Sequence, residues 1–586
     1  MNNLYQRNLS VLKKTHPALY TQVQSVPEVA QSPLPSCPPS QAASVLGRFD
    51  AGADFLYLTG VGDGSCLQQV AGPIVENNRG ILVIEPRMEG FAALLATQDC
   101  VPLLRSRRIF WAVGDDVMAQ VRACWDVSYC QAAAQPLYVA SEPADPLARN
   151  LLLAVKDEVA ARKARLKHLL AGLPQRLREK KPERRVWTYA DLRGKAGYSL
   201  IQHVLIRTLC HELEKRGYEV EYTVLRPGEY YPPYYRILKL VAFEPSLIFL
   251  CNEAPATEIA LGYEFSRSLP IPKVVWYADD PLYGEHLLDR YPLGEDELFG
   301  VADWEWRDTL VRHGARRLFF MPGAATSTRR GRPRAARRCE VVFVGQVRDQ
   351  RAFFGQLSPA WQGYCEQVIQ EKLAYPRKKV REVMAQFPMP GELPLDTLDE
   401  FRQKLLWEAN SRFRVGVIRS LLDLDLHVYG NEDWTRLLPD PAFARCYKGI
   451  LPFKQAADLS ASAAVVLNIH SLQSYTCLNV RDFDVPAAGG FLLSDWLPKA
   501  DEIFEPGFVT DLPLGADARP DVFFYRSVAE LRRLLAYFLS HENERRASVE
   551  RARAKVIAHH TYAHRARLLD TLFTSIQQSA GAADPK

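Results

Sequence analysis

No stretch of the sequence is apolar over the roughly 18 residues that a membrane-spanning helix requires. The N-terminal segment, MNNLYQRNLSVLKKTHPALY, mixes polar and basic residues and lacks the apolar core of a secretion signal. The 11 cysteines are scattered and form no C-x-x-C pair, so we expect reduced thiols rather than disulfides or a zinc site. These absences predict a cytoplasmic protein without a transmembrane segment.

The chain also lacks a strong excess of either charge. Lys and Arg number 73 and Asp and Glu 68, which leaves a formal net charge of +5 on 586 residues. This small excess does not indicate a nucleic-acid-binding protein. Hydrophobic residues make up 47%, enough apolar material for several cores, and single cores stop growing at roughly 250–300 residues. We therefore expect about three globular domains.

Short apolar runs alternate with helical patterns along most of the chain. Examples are FLYLTG, GILVIEP and VVFVG, which begin at Phe55, Gly80 and Val341. This alternation predicts parallel sheets with crossover helices, and therefore an α/β fold. A helix rich in Arg and Lys between Leu151 and Arg185 predicts a connector, whose charges are typical of a solvated face or, alternatively, of a surface for an acidic partner.

These patterns divide the sequence into seven segments. The predicted boundaries are 1–45 for a helical and Pro-rich segment, 46–150 for a first Rossmann-like domain, 151–185 for the basic connector, 186–325 for a second Rossmann-like domain, 326–338 for a linker, 339–545 for a third Rossmann-like domain and 546–586 for a C-terminal helix and tail. Two Rossmann-like domains in series, closed by a helix that returns to the first of them, form the GT-B arrangement. The sequence predicts this arrangement behind a further Rossmann-like domain.

A motif near the C-terminus carries a family resemblance. The segment NVRDFDVPAAGGFLLSD, from Asn479 to Asp495, resembles the N-x-R-x-F-E-x-x-A-x-G-G-x-x-L-x-D signature of the CgeB-like glycosyltransferases. VVFVGQVRDQR, ending at Arg351, is similar to the first strand and glycine loop of that family's nucleotide domain, and HTYAHR, from His560, to its closing motif. The resemblance implies a GT-B glycosyltransferase with a nucleoside-diphosphate sugar as donor and 186–325 as the acceptor-side domain.

The resemblance also implies a set of donor-binding residues, namely Gly345, Arg351, Asn479, Arg481, Asp484, Gly489 and Gly490. Asp484 stands where the family usually has Glu and would accept the ribose hydroxyls. Alternatively, its carboxylate interacts favourably with the positive end of a helix dipole. Arg481 would neutralise the diphosphate, or else form an internal salt bridge. The glycines would allow the backbone to approach the phosphates, although Gly345 could equally mark a turn.

The acceptor side offers a pair of adjacent carboxylates. WYADDP, from Trp276 to Pro281, is similar to a W-x-x-D-x-P element of CgeB-like proteins, and it follows an apolar strand. We expect Asp280, rather than Asp279, to act as general base, the alternative being a turn or helix-capping aspartate. Adjacent residues on an extended segment point in opposite directions, which does not suit shared metal binding. We therefore expect no metal and no cofactor beyond the donor sugar nucleotide.

Two glycine-containing loops complete the candidate sites. Gly194, Gly197 and Tyr198 begin the acceptor-side domain and would line the sugar or the acceptor. In the first domain, Gly60, Gly62 and Gly64 precede Glu85 by about 20 residues, the spacing of a Rossmann nucleoside site. An S-adenosylmethionine pocket would look the same, and a domain that only serves docking is the remaining alternative.

The N-terminal region has a resemblance of its own. NLSVLKKTHPALY, FLYLTGVGDGSCLQQV and ILVIEP resemble the front part of the motility-associated-factor (Maf) proteins that glycosylate flagellin. The sequence therefore favours transfer of a sugar to a hydroxyl of a protein, such as flagellin, or of a surface glycan. The alternatives are S-adenosylmethionine-dependent methyl transfer by the first domain and a non-catalytic scaffold.

Overall fold

The chain folds around three parallel sheets that follow one another in sequence. The computed structural model describes residues 3–26, 39–76, 79–141, 143–179, 183–193, 198–232, 234–252, 259–260, 263–264, 269–285, 288, 293–294, 297–332, 339–515 and 518–582. Each sheet has helices on both faces, which confirms the predicted α/β fold with three Rossmann-like units. Within these residues, no helix combines the length and the apolar character needed to cross a membrane.

The first sheet has the strand order β3-β2-β1-β4. Its strands are β1 (Phe55–Thr59), β2 (Gly80–Glu85), β3 (Ile109–Val113) and β4 (Pro136–Ala140). The helices of this domain are α1 (Asn3–Thr15), α2 (Pro17–Gln24), α3 (Pro39–Asp50), α4 (Ser65–Glu76), α5 (Met88–Thr97), α6 (Val101–Arg105) and α7 (Val117–Ser128), with a 3-10 turn at Cys130–Ala132. Every residue of β1 and β2 is buried, as expected for parallel strands covered on both faces.

Helix α8 (Pro146–Glu179) joins the first two domains. Its N-terminal half contributes Val155 to the core beneath the first sheet, and its C-terminal half contributes Leu173 to the core of the second domain. Tyr230, from the second domain, packs on Phe55 of β1 with ring centroids 4.8 Å apart. The predicted connector is thus a shared helix whose apolar residues belong to two cores.

The second sheet has six parallel strands in the order β12-β11-β10-β7-β5-β6. They are β5 (Arg185–Asp191), β6 (Glu219–Leu225), β7 (Leu247–Cys251), β10 (Lys273–Tyr277), β11 (Leu298–Val301) and β12 (Arg317–Phe320), with a separate pair β8 (Ile259–Ala260) and β9 (Tyr263–Glu264). The helices are α9 (Tyr198–Glu214), α10 (Tyr235–Phe243) and α11 (Arg307–Arg312), with 3-10 turns at Pro281–Gly284 and Trp304–Trp306.

The third sheet has the order β14-β13-β15-β16-β18-β17. Its strands are β13 (Val341–Val344), β14 (Leu426–Tyr429), β15 (Val465–Asn468), β16 (Leu492–Asp495), β17 (Pro506–Gly507) and β18 (Val522–Tyr525). Four helices stand between β13 and β14, namely α12 (Arg351–Gly355), α13 (Pro359–Ala374), α14 (Val380–Met384) and α15 (Leu398–Arg419). The later elements are α16 (Asp433–Leu437), α17 (Pro441–Cys446), a 3-10 turn at Phe453–Gln455, α18 (Ala456–Ser462), α19 (Val480–Ala488), a 3-10 turn at Val509–Asp511, α20 (Val528–Ser540), α21 (Glu542–His559) and α22 (Tyr562–Ala582).

The four helices inserted after β13 lie against the second domain. Leu282 of that domain is buried in the core of the insertion. Arg402 of α15 donates to Oε2 of Glu285 at 2.5 Å, and Lys379 donates to Oδ2 of Asp308 at 2.9 Å. The insertion therefore bridges the second and third domains on one side.

The C-terminal helix bridges the same two domains on another side. α22 shares the core of the second domain with α9, contributing Leu569 and Phe573. The hydroxyl of Tyr218 donates to Oδ1 of Asp570 at 2.8 Å. Arg565, in the first turn of α22, donates to the carbonyl oxygens of Pro322 and Gly323, each at 2.8 Å. The chain thus returns from the third domain to the second, and Arg565 holds the segment at Pro322 and Gly323 that joins these domains.

Candidate active site

The second and third sheets turn their carboxyl edges toward each other. The residues that follow β10, Asp279 and Asp280, contact residues of the loop that follows β15, Gln473 and Tyr475. The boundary between the two domains is therefore lined by strand ends. In open α/β sheets this edge is where ligands bind.

Asp279 is the half-buried carboxylate of the adjacent pair. Its Oδ2 accepts from Nδ2 of Asn252 at 2.6 Å, and its Oδ1 accepts from Nε2 of Gln473 at 2.8 Å. Asn252 follows β7, and its Oδ1 also accepts from the backbone N–H groups of Ala278 and Asp279. The amide therefore fixes the turn after β10, and the carboxylate stands at the boundary between the domains.

Asp280 is buried, with 4% of its surface exposed. Its Oδ1 accepts from the N–H of Leu282 at 3.0 Å, so it caps the 3-10 turn that follows, and its Oδ2 accepts from the hydroxyl of Tyr475 at 3.1 Å. Burial raises the pKa of Asp280 to about 7. The expected preference for Asp280 as base is not supported by this geometry, because its carboxylate lies inside the packed boundary.

A third aspartate of the second domain holds the same loop. Oδ2 of Asp303, after β11, accepts from the backbone N–H groups of Tyr475, Thr476 and Cys477 at 2.7, 2.8 and 3.2 Å. The sequence analysis did not predict this residue. The run LFGVAD could have indicated it, because an acidic residue follows an apolar strand there. Asp303 therefore positions the loop that carries the contacts to Asp279 and Asp280.

A buried ionic network supports the carboxyl ends of β15 and β16. His470 bonds Asp495 through Nδ1 and Asp482 through Nε2, both at 2.7 Å, and its side chain is 0% exposed. Arg377 pairs with the other oxygen of Asp495. Burial alone would lower the pKa of His470, but the charges of Asp482 and Asp495 raise it to about 9. Sequence reasoning missed His470 as well; its signal was a histidine just after the apolar run VVLN.

Arg481 lies in the first turn of α19. Asn479 caps this helix, because its Oδ1 accepts from the N–H of Arg481 at 2.8 Å within a capping box completed by Asp482. The guanidinium of Arg481 donates from Nη1 to Oδ1 of Asn468 at 3.0 Å. The helix N-terminus and this cation therefore stand together at the carboxyl end of β15, an arrangement that suits an anion.

Asp484 is one turn further along α19 and faces the segment between the domains. Its carboxylate accepts from the N–H of Thr326 at 2.7 Å and from the Oγ1 of Thr326 at 2.9 Å. Burial raises the pKa of Asp484 to about 6. Both oxygens are within reach of Thr326, so the structure gives this carboxylate a role in holding the interdomain segment; a ribose-binding role stays a prediction.

Gly489 and Gly490 lie at the far end of the same helix. Gly489 ends α19 in the left-handed conformation, with φ +84°. A Cβ at Gly490 would lie 2.7 Å from the carbonyl oxygen of Ser460, so close packing against α18 explains this glycine. The interpretation of the pair as phosphate contacts needs correction, because phosphates bind at the N-terminus of a helix and these residues form its C-terminus.

Gly345 and Arg351 follow β13. The N–H of Gly345 donates to the carbonyl of Tyr429 at 2.9 Å, and its carbonyl accepts from Nε1 of Trp434 at 2.8 Å. Gly345 thus continues the pairing with β14, and close packing accounts for it. The side chain of Arg351 is 58% exposed and pairs with Asp349 at 2.6 Å. The structure does not bring Arg351 to Arg481, because this local ion pair holds it at the surface.

The remaining predicted positions fall elsewhere. Gly194 and Gly197 lie outside the described residues, as does the side chain of Tyr198. The three glycines of the first domain have left-handed backbone conformations with φ of +73°, +51° and +81° at Gly60, Gly62 and Gly64.

Glu85 holds the glycine loop of the first domain. Its carboxylate accepts from the N–H groups of Val61 and Arg87 at 2.8 and 2.9 Å. Tyr230 of the second domain contacts Phe55 at the start of β1, whereas the glycine loop follows the end of this strand. A nucleoside site in this loop stays a prediction.

The comparison with known families concerns the third domain and the C-terminal helices. Residues 408–571 match the model of a family described as glycosyl transferase-like. The match begins within α15, ends within α22 and contains His470 and Arg481. No curated protein matches the chain. The C-terminal part of this protein is therefore similar to a glycosyl transferase-like family, and it follows two further parallel α/β domains.

Proposed function

We propose that the protein is a GT-B glycosyltransferase that moves a sugar from a nucleoside diphosphate to a hydroxyl group of a protein or of a surface glycan. The observation that carries the proposal is that the carboxyl edges of two sheets meet, one with a cationic group and the other with a carboxylate. The third domain presents Arg481 and a helix N-terminus, whereas the second presents the half-buried carboxylate of Asp279. Such a boundary offers a cation to the leaving diphosphate and a base to the acceptor.

The proposed donor site lies at the first turn of α19. The positive end of the α19 dipole and the guanidinium of Arg481 would stabilise the diphosphate and its growing negative charge as the bond to the sugar breaks. Stabilisation of this kind uses fixed dipoles and a basic side chain, so the proposed mechanism requires no divalent cation.

The proposed base is Asp279. As the acceptor oxygen bonds to the anomeric carbon of the sugar, the bond from that carbon to the diphosphate oxygen breaks and its electron pair leaves with the diphosphate. The acceptor proton passes to the carboxylate of Asp279. The amides of Asn252 and Gln473 hold that carboxylate from two domains and would keep it oriented.

The finer assignment draws on the motifs of the chain. The signature from Asn479 to Asp495 supports a CgeB-like enzyme, and the Maf-like N-terminal segments support a protein acceptor such as flagellin. Both assignments are part of the proposal.

The experiment is a binding and turnover panel on the full chain. Calorimetry with UDP, GDP, ADP, CDP and dTDP identifies the base, and release of the diphosphate from the matching sugar nucleotide, with and without EDTA, measures transfer or slow hydrolysis. We expect one diphosphate to bind and turnover to persist in EDTA. A chain that binds none of the five, but binds S-adenosylmethionine, would overturn the proposal in favour of methyl transfer.

A further inference from the structure

A second arginine reaches the end of β15 from another element. Arg414, on α15, donates from Nη1 to the carbonyl of Gln346 at 2.6 Å and from Nη2 to the carbonyl of Ile469 at 3.1 Å. Arg481, on α19, donates to Oδ1 of Asn468. Asn468 and Ile469 are neighbours in sequence, so the two guanidinium groups converge at one point of the strand edge.

The carboxylates near these arginines are engaged by other groups. Asp482 bonds His470, Asp495 bonds both His470 and Arg377, and Asp484 bonds Thr326. Across the described part of the chain, neither Arg414 nor Arg481 forms an ion pair within 4.0 Å. Nε of Arg414 is buried and has no hydrogen-bond partner among these residues.

Asp482 and Asp484 offset part of the charge of Arg481, and Asp495 offsets part of that of Arg414, but among the described residues no carboxylate is in direct contact with either guanidinium. Burial, with the charge of Arg481 adding to it, lowers the pKa of Arg414 to about 10. The N-terminus of α19 adds further positive potential at the same place. Such a concentration of positive charge becomes favourable when an anion binds, because each guanidinium then gains a charge-assisted hydrogen bond.

We propose that Arg414 and Arg481 together bind the diphosphate of the donor, as two guanidinium groups supplied by separate helices. The assignment of Arg414 rests on the proposed function and extends it to a residue outside the signature motif. As a ligand for two guanidinium groups at separate positions, a diphosphate is more suitable than a single carboxylate, because it offers two linked anionic groups. Because Arg414 also joins the carbonyls that follow β13 and β15, its position is set before the ligand arrives.

The test compares Arg414→Gln and Arg414→Lys with the wild type. Calorimetry measures binding of inorganic pyrophosphate, of the nucleoside diphosphate that the wild type binds best and of the corresponding nucleoside. The matched control is Arg532→Gln, since Arg532 is a surface residue of the same domain that pairs with Asp423. Thermal unfolding of each variant, followed by circular dichroism, reports whether it is folded.

We expect both Arg414 variants to lose about tenfold or more in affinity for the diphosphate and for pyrophosphate, with little change for the nucleoside. Lysine would not restore binding, since the two carbonyls are reached by different nitrogens of the planar guanidinium and a single ammonium nitrogen cannot occupy both positions. Unchanged diphosphate affinity in a folded Arg414→Gln would overturn the role of Arg414 and leave the proposed function standing. If Arg414→Gln does not fold, Arg414→Lys alone decides. A wild type that binds neither diphosphate nor pyrophosphate would overturn both.

Discussion

The hydroxyl of Tyr475 donates to Oδ2 of Asp280 at 3.1 Å and so joins the loop after β15 to the carboxyl edge of the second sheet. The ring of Tyr475 is buried within the core of the second domain, although the residue belongs to the third. Nζ of Lys372, also buried, lies 5.3 Å from the centre of that ring. The domain boundary is therefore closed at this point by a hydrogen bond and by apolar packing together.

Asp280 makes the stability of the protein depend on pH. Its pKa is raised to about 7 by burial, so the folded state favours the protonated form. The contribution of Asp280 to stability is fully present below the unfolded pKa of about 4 and is lost as pH rises through about 7. Between pH 4.5 and 8, we expect the wild type to lose on the order of 2–4 kcal/mol that Asp280→Asn does not lose.

Chemical unfolding at several pH values measures this difference. Asp501→Asn, at an exposed aspartate of the third domain, is the control and should follow the wild type. Lys372, whose pKa burial lowers to about 7, interacts with the charge of Asp280, so the comparison measures the effect of Asp280 together with its effect on Lys372. Parallel pH profiles of wild type and Asp280→Asn would contradict the assignment.

Asp279→Asn should abolish most of the turnover and leave donor binding intact. The amide keeps the size of the side chain but cannot take the acceptor proton, and general-base catalysis contributes about 10²–10⁴ in rate. We expect kcat to fall by about that factor while the affinity for the nucleoside diphosphate changes less than about threefold. Gln473→Ala removes one donor to this carboxylate and should lower kcat by a smaller factor. Full activity in Asp279→Asn would remove Asp279 as the base.

The architecture could be predicted from the sequence because parallel strands covered on both faces appear as continuous apolar runs. FLYLTG and GILVIEP are two of these runs, and each strand begins where its run begins and ends one residue before its run ends. The run VVFVG likewise contains β13. Such runs predicted these strands, whereas β11 and β18 were not predicted.

The roles of individual polar residues could not be predicted in the same way. Asp484 meets Thr326 across 158 positions of sequence, and Asp303 meets Tyr475 across 172. No local pattern records such a pairing. The motif GG at the end of α19 was misread for a related reason, because a glycine that ends a helix and one that approaches a phosphate look alike until the helix boundaries are known.

Asp484 and Thr326 should act as one unit. We expect Asp484→Asn and Thr326→Val each to destabilise the protein by about 1–3 kcal/mol, because each leaves a buried polar partner less satisfied. The double variant should cost clearly less than the sum, with a coupling energy of about 1–2 kcal/mol. Urea unfolding of the four proteins gives the cycle. Additive effects would show that the contact carries no stability.

Ligand binding to the same variants distinguishes the contact of Asp484 with the interdomain segment from a role in ribose binding. The ligands are the nucleoside diphosphate that the wild type selects, for example UDP, and its 2′,3′-dideoxy form. If the carboxylate only holds the interdomain segment, Asp484→Asn should change the affinities for both ligands by the same factor. A selective loss for the ribose form would restore the ribose role. Thr326→Val serves as the control, because it disturbs the hinge contact and keeps the carboxylate.

His470 should stabilise the third domain most strongly at neutral and acidic pH. Its pKa is raised to about 9, above the value of about 6.5 for an unfolded chain, so its contribution is fully present below about pH 6.5 and is lost as pH rises through about 9. His470→Gln would leave Asp482 and Asp495 buried without the cation between them. We expect a loss of about 3–5 kcal/mol at pH 7 that shrinks toward pH 10.

Unfolding by guanidinium chloride at pH 6, 8 and 10 measures this loss of stability. His541→Gln is the control, since His541 lies on the surface of the same domain. If His470→Gln does not fold at pH 7, nitrogen-detected NMR of the wild-type histidines keeps the prediction testable. Both ring nitrogens of His470 should then carry protons at pH 7.5, because each bonds a carboxylate, Nδ1 that of Asp495 and Nε2 that of Asp482. A neutral His470 at that pH would contradict the prediction.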